Sequence, residues 1–220
     1  MEHTSKIIEL NEHDLIQSIQ SNTISVCVIG IGRIGLPTAL SFANSGISTI
    51  GVDINSELVE MINSKIFPLK DEPGYDVIFD KVINEKKFRA TTNFSDGVNS
   101  SDVIVLSLPT PMNDQNIPDY SALLSVAKRL HDEMFNGKLI IIESTVEPGF
   151  VETDFLKILE GNDEKLKLGK NFSLGVCPET ANPGQILNDF ERLPRLVGAM
   201  DKFTQNLIIK IYKHVFTVDL

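Results

Sequence analysis

The sequence has no tryptophan, only three tyrosines and only two cysteines. Two cysteines cannot build the disulfide framework of a small secreted domain. Each stands in an apolar run, Val26-Cys27-Val28-Ile29 and Leu174-Gly175-Val176-Cys177. They read as core thiols in a reducing compartment. No apolar run is long enough to span a bilayer. Met1-Glu2-His3-Thr4-Ser5 lacks the basic-then-apolar pattern of a signal peptide. The expectation is a cytoplasmic protein with no membrane partner. Positive charge is also scarce: Lys plus Arg number 20 against 30 Asp plus Glu, for a net charge of −10. An acidic surface repels phosphate backbones, so nucleic acid is not an expected partner. A local pocket for a small phosphorylated ligand stays open. His3, His13, His131 and His214 have no metal-ligand spacing and no C-x-x-C pair occurs. The histidines read as surface residues, and no metal site is expected.

What is present is an ordinary globular composition. The 220 residues are 42% hydrophobic and 23% charged, enough for one large core. Leu10, Leu15, Ile16 and Ile19 predict a short amphipathic helix within residues 1–23, ahead of the main domain. From residue 24 onward, strand and helix patterns alternate. Strands are expected over 24–29, 48–53, 89–92, 102–107, 138–143, 172–177 and 195–198. Helices are expected over 35–45, from Asn55 onward, 75–85, from Asp119 onward, 149–160 and 203–216. This alternation predicts an α/β, Rossmann-like, doubly wound and mainly parallel sheet with helices on both faces. The domain spans 24–216.

One motif carries chemistry in its context. Gly30-Ile31-Gly32-Arg33-Ile34-Gly35 follows a strand and opens a helix, and Asp53 ends the next strand 18 residues after Gly35. That is the dinucleotide-binding arrangement. Gly30 allows the turn out of the strand, Gly32 lets backbone N–H groups approach a pyrophosphate, and Gly35 lets the helix pack close. The pyrophosphate would sit on the helix N-terminus. Asp53 would accept hydrogen bonds from the adenine ribose. A 2′-phosphate would meet its carboxylate, and no Arg follows in Asp53-Ile54-Asn55-Ser56, so NAD is expected over NADP.

Three further motifs stand at strand ends. Leu108-Pro109-Thr110-Pro111 presents a hydroxyl between two stiffening prolines. In Glu143-Ser144-Thr145-Val146-Glu147-Pro148-Gly149, Ser144 and Thr145 either cap a helix or line the cofactor site. Cys177-Pro178-Glu179-Thr180-Ala181-Asn182-Pro183-Gly184 brings a carboxylate to a sheet edge, where it can activate water.

In this order, after this glycine loop, the motifs resemble the UDP-glucose/GDP-mannose dehydrogenase family of NAD-dependent nucleotide-sugar dehydrogenases. Glu72-Pro73-Gly74, Arg89-Ala90-Thr91-Thr92 and Pro194-Arg195 with Gly198 belong to the same match, which is nearest to the branch acting on UDP-N-acetylhexosamines. The resemblance implies oxidation of a sugar C6 alcohol to a carboxylate with two NAD, through a covalent adduct on a cysteine. It implies that backbone groups of Arg33 and Ile34 contact the pyrophosphate. Thr110 and Thr145 contact the cofactor, Thr145 toward the nicotinamide. Glu179 is the acid/base for the final hydrolysis, and Glu179, Thr180 and Ala181 face a UDP-sugar substrate.

Several features depart from the family. Its central helix and UDP-sugar-binding domain are expected to be absent from this chain, and neither Cys27 nor Cys177 matches the nucleophile. The chain is therefore expected to be inactive alone. Family members dimerise through the central helix, so a homodimer is expected only of a longer form. Thr180 stands where the N-acetylhexosamine branch commonly has Arg, and Ser64-Lys65 follow Asn63 where a glycine is common. The alternative readings are a UDP-glucose 6-dehydrogenase and a stand-alone NAD-binding regulatory module. The apolar face of the last helix (Leu207, Ile208, Ile211, Tyr212, Val215) is expected to lie partly at an interface.

Overall fold

The computed structural model describes residues 7–163 and 165–220; His3 lies outside them. Strands β1 (Ser25–Ile29), β2 (Ser48–Val52), β3 (Phe88–Thr91), β4 (Val103–Leu106), β5 (Lys138–Ile142), β6 (Phe172–Val176) and β7 (Gly198–Ala199) form one sheet. Their order is β3-β2-β1-β4-β5-β6-β7. Every neighbouring pair is parallel except β6 with β7. The order reverses between β1 and β4, which opens a crevice at the carboxyl ends of the strands.

The central strands read as unbroken apolar runs because helices cover both faces. Alternation decides which core each residue joins. Val26 and Val28 enter one cluster, while Cys27 and Ile29 enter the other. The first cluster is covered by α2 (Gly35–Asn44), α3 (Ser56–Asn63), α4 (Tyr75–Asn84) and α9 (Lys202–Val215). The second is covered by α5 (Phe94–Asn99), α6 (Ser121–Glu133) and α7 (Leu156–Glu160), the last preceded by a π-helical turn over Val151–Phe155. Near the N-terminus, a short 3-10 turn (Ile7–Glu9) leads to α1 (Glu12–Gln20). Ile7, Leu15 and Ile19 are buried in the first cluster. The amphipathic spacing of α1 thus turns its apolar stripe onto the domain.

The structure corrects several expectations. The last strand is Gly198–Ala199, antiparallel and shorter than the expected 195–198. Arg195 leaves the sheet pattern because its side chain turns into the core, where only 3% of it is exposed. Two short helices carried no periodic signal: α5, capped by the Asn93 side chain on the Asp96 N–H, and α8 (Ile186–Arg192). Helix α6 begins at Ser121, so Asp119 acts from one residue outside the cap and accepts the Ser121 N–H at 2.8 Å. Most of the apolar face of α9 is core: Leu207, Ile208, Ile211 and Tyr212 are buried, with Phe42 edge-on to Tyr212, while Val215 is half-buried. His131 is not a surface residue. It is buried, with Nδ1 3.0 Å from the Leu159 carbonyl and Nε2 3.4 Å from Asp163. His13 is exposed, and His214 is half-buried with Nε2 3.2 Å from Asn22 Oδ1.

Candidate functional site: a dinucleotide cleft with a carboxylate at its end

At the carboxyl ends of β1, β2, β4 and β5 lies a cavity of about 680 Å³. That is in the range of small-molecule sites. Gly30, Gly32, Arg33, Ile34, Gly35, Asp53, Thr110, Thr145 and Glu179 all line it. Thr180 and Ala181 do not. Thr180 is exposed, and Ala181 packs beside the first core cluster.

The glycine loop is shaped by what each position excludes. Gly30 has φ +87°, and a Cβ there would lie 2.5 Å from the Ser107 carbonyl oxygen. A Cβ on Gly35 would lie 1.9 Å from the Gly30 carbonyl oxygen, so α2 packs directly on the turn. Gly32 has nothing within 4 Å of a built Cβ and faces open space. Helix α2 starts with no side-chain cap on its N–H groups. Uncapped N–H groups at a helix start, beside a bare glycine, form a cradle for an anion. The residues present therefore suit a pyrophosphate.

Asp53 follows β2. Its Oδ2 accepts the Ile31 N–H at 3.0 Å and its Oδ1 the Asn55 N–H at 2.9 Å. These bonds fix the carboxylate and leave further lone pairs for hydroxyl donors. Beyond it the wall is apolar: Ile54, Phe94, Leu108 and Val126 line the cavity, and Arg129 lies with Cζ 4.0 Å over the Phe94 ring. Phe94 and Arg129 escaped the sequence reading. The Asn93 cap ahead of α5 was the available signal for Phe94; Arg129 had none, because it shares a helix face with solvent-directed charges.

The two threonine motifs meet. Thr110 Oγ1 donates to the Thr145 carbonyl at 3.0 Å. Ser144 Oγ accepts the Leu108 N–H at 2.9 Å and donates to the Leu108 carbonyl at 2.8 Å. Ser144 thus laces the ends of β4 and β5 together. Neither Ser144 nor Thr145 caps a helix, since the next helical turn starts at Val151.

Glu179 follows β6. Its N–H donates to the Glu143 carbonyl at 3.2 Å, and its Oε1 accepts the Ala181 N–H. Burial raises its carboxyl above the ordinary range, opposed by the Ala181 N–H and by Arg195. A carboxyl raised in this way holds a proton more readily than an ordinary carboxylate, which suits proton transfer. Beneath it lies a second acid, Glu143, fully buried and paired with Arg195 Nη1 at 3.2 Å. Tyr212 OH donates to Glu143 Oε1 at 2.8 Å and Thr38 Oγ1 to Oε2 at 3.0 Å. Burial also pushes the Cys177 thiol up to about 12 and holds Cys27 higher still. Both thiols are free and buried, and that burial favours their protonated form. Among the described residues, no group of three or more His, Cys, Asp or Glu side chains is placed to hold a metal ion. None of their helices is long and apolar enough to cross a membrane.

Residues 24–216 match the NAD binding domain of the UDP-glucose/GDP-mannose dehydrogenase family. The chain belongs to this family. It is 34% identical over 188 residues to the UDP-N-acetyl-D-mannosamine dehydrogenase of Pyrococcus horikoshii, covering 86% of this chain and 44% of that protein. The solved structure of the UDP-D-ManNAc dehydrogenase from that organism superposes with a TM-score of 0.82 at 32% identity, over 89% of this chain and 46% of the other. The Campylobacter jejuni enzyme of the same name is 32% identical over 195 residues, 86% of this chain and 46% of its own. The NDP-N-acetyl-D-galactosaminuronic acid dehydrogenase of Methanosarcina mazei superposes with a TM-score of 0.81 at 30% identity, over 93% of this chain and 45% of its own. This chain therefore spans a little under half the length of these relatives. Its fold is the family's NAD-binding domain, and its cofactor is NAD.

Proposed function

We propose that this chain supplies the NAD-binding part, residues 24–216, of a 6-dehydrogenase that oxidises the C6 alcohol of a UDP-N-acetylhexosamine to the uronate. UDP-N-acetyl-D-mannosamine is the substrate we favour, because relatives of that name match at 30% identity or more. One observation carries the reading: Glu179 lines the same cavity as the glycine loop and Asp53. A dinucleotide cradle and a raised carboxyl then share one cleft.

In this reading, backbone groups of Gly32, Arg33 and Ile34 hold the pyrophosphate at the start of α2. Asp53 accepts from the adenine ribose. Thr110 fixes the Thr145 carbonyl, and Thr145 borders the nicotinamide end. NAD, when bound, accepts hydride from the sugar carbon. Glu179 removes a proton from the water that cleaves the acyl intermediate, while Thr180 and Ala181 border the sugar. The nucleophilic cysteine comes from elsewhere than these 220 residues, because Cys27 and Cys177 are buried and held protonated. The chain alone therefore binds NAD and does not turn over.

Two measurements test this. Calorimetric titration of Asp53→Ala with NAD should show affinity down about tenfold or more, as expected for losing hydrogen bonds to a charged acceptor. Unchanged affinity refutes the cofactor site. Steady NADH formation by this chain with UDP-N-acetylmannosamine would refute the assignment of the nucleophile.

A further inference from the structure

The segment that carries Glu179 is held from outside by a carboxylate far away in sequence. Glu72, in the loop before α4, has a side chain that is 0% exposed. Its Oε1 accepts the Gly184 N–H at 2.6 Å and its Oε2 the Ile186 N–H at 3.3 Å. Gly184 has φ +89°, a conformation that turns its N–H toward this carboxylate and that side-chain-bearing residues rarely adopt. Glu72 thus closes the turn between Glu179 and α8. The same Oε1 lies 3.8 Å from Arg33 Nη2, and that guanidinium also bonds Asp71. Arg33 belongs to the glycine loop and lines the cleft. One oxygen therefore stands between the phosphate loop and the Glu179 segment.

We propose that Glu72 is a positioning residue for the Glu179 segment, and that Arg33 makes its hold respond to the dinucleotide. This rests on the reading of Glu179 as the acid/base. The physical chain is short. Oε1 is shared by a guanidinium charge and an amide donor. A pyrophosphate in the glycine loop offers Arg33 a stronger anion than the exposed Asp71, whose ion pair is cheap to break. As the guanidinium turns to it, Oε1 keeps the Gly184 N–H as its donor, and that bond strengthens. Cofactor binding then stiffens the turn that fixes Glu179.

The test is amide hydrogen exchange of the 220-residue chain, read by mass spectrometry over residues 180–190. Saturating NAD should slow exchange at Gly184 and Ile186 by about threefold, the size of a modest gain in one hydrogen bond. Adenosine, which lacks the pyrophosphate, should not. Arg33→Met keeps the loop's backbone N–H groups but removes the guanidinium, so by calorimetry it should bind NAD more weakly, and at concentrations that saturate it the NAD effect on exchange should be lost. Glu72→Gln keeps one carbonyl oxygen for two N–H donors, and exchange there should be about tenfold faster with or without NAD. A merely structural Glu72 would not make exchange depend on NAD or on Arg33. Equal slowing by NAD in wild type and Arg33→Met overturns the proposal, as does an unchanged wild type at saturating NAD. Failure of the reading beneath it looks different: full activity of a complete enzyme carrying Glu179→Gln removes the acid/base role and leaves the exchange result standing.

Discussion

Replacing Arg195 by methionine should cost this domain a large share of its stability, and the cost should grow with pH. Arg195 is 3% exposed and Glu143 is 0% exposed, with Nη1 and Oε1 3.2 Å apart. The guanidinium carbon lies 4.4 Å from the Phe190 ring and 4.1 Å from the Phe216 ring, so the cation is sandwiched in aromatic core. Methionine fills much of that volume but leaves Glu143 buried with only the Tyr212 and Thr38 hydroxyls as partners. Removing one member of such a pair costs about 3–5 kcal/mol. For a domain of this size that lowers Tm by roughly 6–20 °C. The sign of the pH effect follows from linkage. Burial already raises the Glu143 carboxyl above the ordinary range, and Arg195 is the chief opposing influence. Without Arg195 the folded value rises further. The native state then binds a proton that the unfolded chain has released, so stability is retained below the unfolded carboxyl value and lost as pH rises through the folded one. The deficit of Arg195→Met should therefore be smaller at pH 5 than at pH 8. Adding Glu143→Gln removes the stranded charge and should recover most of the loss. Urea unfolding of wild type, single and double variants at both pH values measures all three terms. A single variant within about 1 kcal/mol of wild type at pH 8, or a double variant no better than the single, would refute the argument.

Three further outcomes follow from the cleft. Gly35→Ala drives a Cβ to 1.9 Å from the Gly30 carbonyl oxygen and should lower stability by at least about 1–3 kcal/mol in thermal unfolding. Gly32→Ala meets no atom within 4 Å, so it should unfold close to wild type while its NAD affinity falls in calorimetry; normal binding would move the pyrophosphate away from this loop. In a complete enzyme, Glu179→Gln should let a covalent sugar–enzyme species accumulate, visible in intact mass. The wild-type hydrolysis rate should rise with pH along a limb displaced above the ordinary carboxylate range, because burial raises the Glu179 carboxyl and only its ionised form accepts a proton.

The parts of this site that were legible in sequence are those whose physics is local. Gly30 to Gly35 is a turn and a helix start within six residues, and Asp53 sits where the next strand must end. The alternation of apolar runs and helical stripes was enough for the parallel sheet, because a strand covered on both faces has no freedom to be polar. Where a residue's role depends on a distant partner, the local signal misled. Arg195 sits in Leu193-Pro194-Arg195-Leu196-Val197, which reads as strand, yet its side chain turns inward to meet Glu143, 52 residues earlier. His131 lies among charged neighbours on α6 and reads as surface. It is buried because the 160–163 turn folds over it, and a Cβ on Gly161 would lie 2.5 Å from its ring. The apolar face of α9 looked like surplus because its partners, Phe42 on α2 and the end of β6, come from far earlier in the chain.

Glu72 and Glu143 follow the same logic from the side of charge. An acid in a loop or at a strand end reads as solvated, and most are. These two are buried, and each joins segments more than 50 residues apart: Glu143 ties β5 to Arg195 and α9, and Glu72 ties the α4 entry to the Glu179 turn. A buried carboxylate is costly unless every oxygen is used, so such residues occur where the fold must fix the relative position of two loops that local structure leaves free. Both act around one segment. Glu143 accepts the Glu179 N–H through its backbone carbonyl, and Glu72 accepts the Gly184 N–H through its side chain. The carboxyl we assign to proton transfer is thus anchored on one side through the strand end and on the other through the turn. The first anchor is backbone and survives substitution, whereas the second is a side chain, so the position of Glu179 should be more sensitive to Glu72 than to its exposed neighbour Thr180.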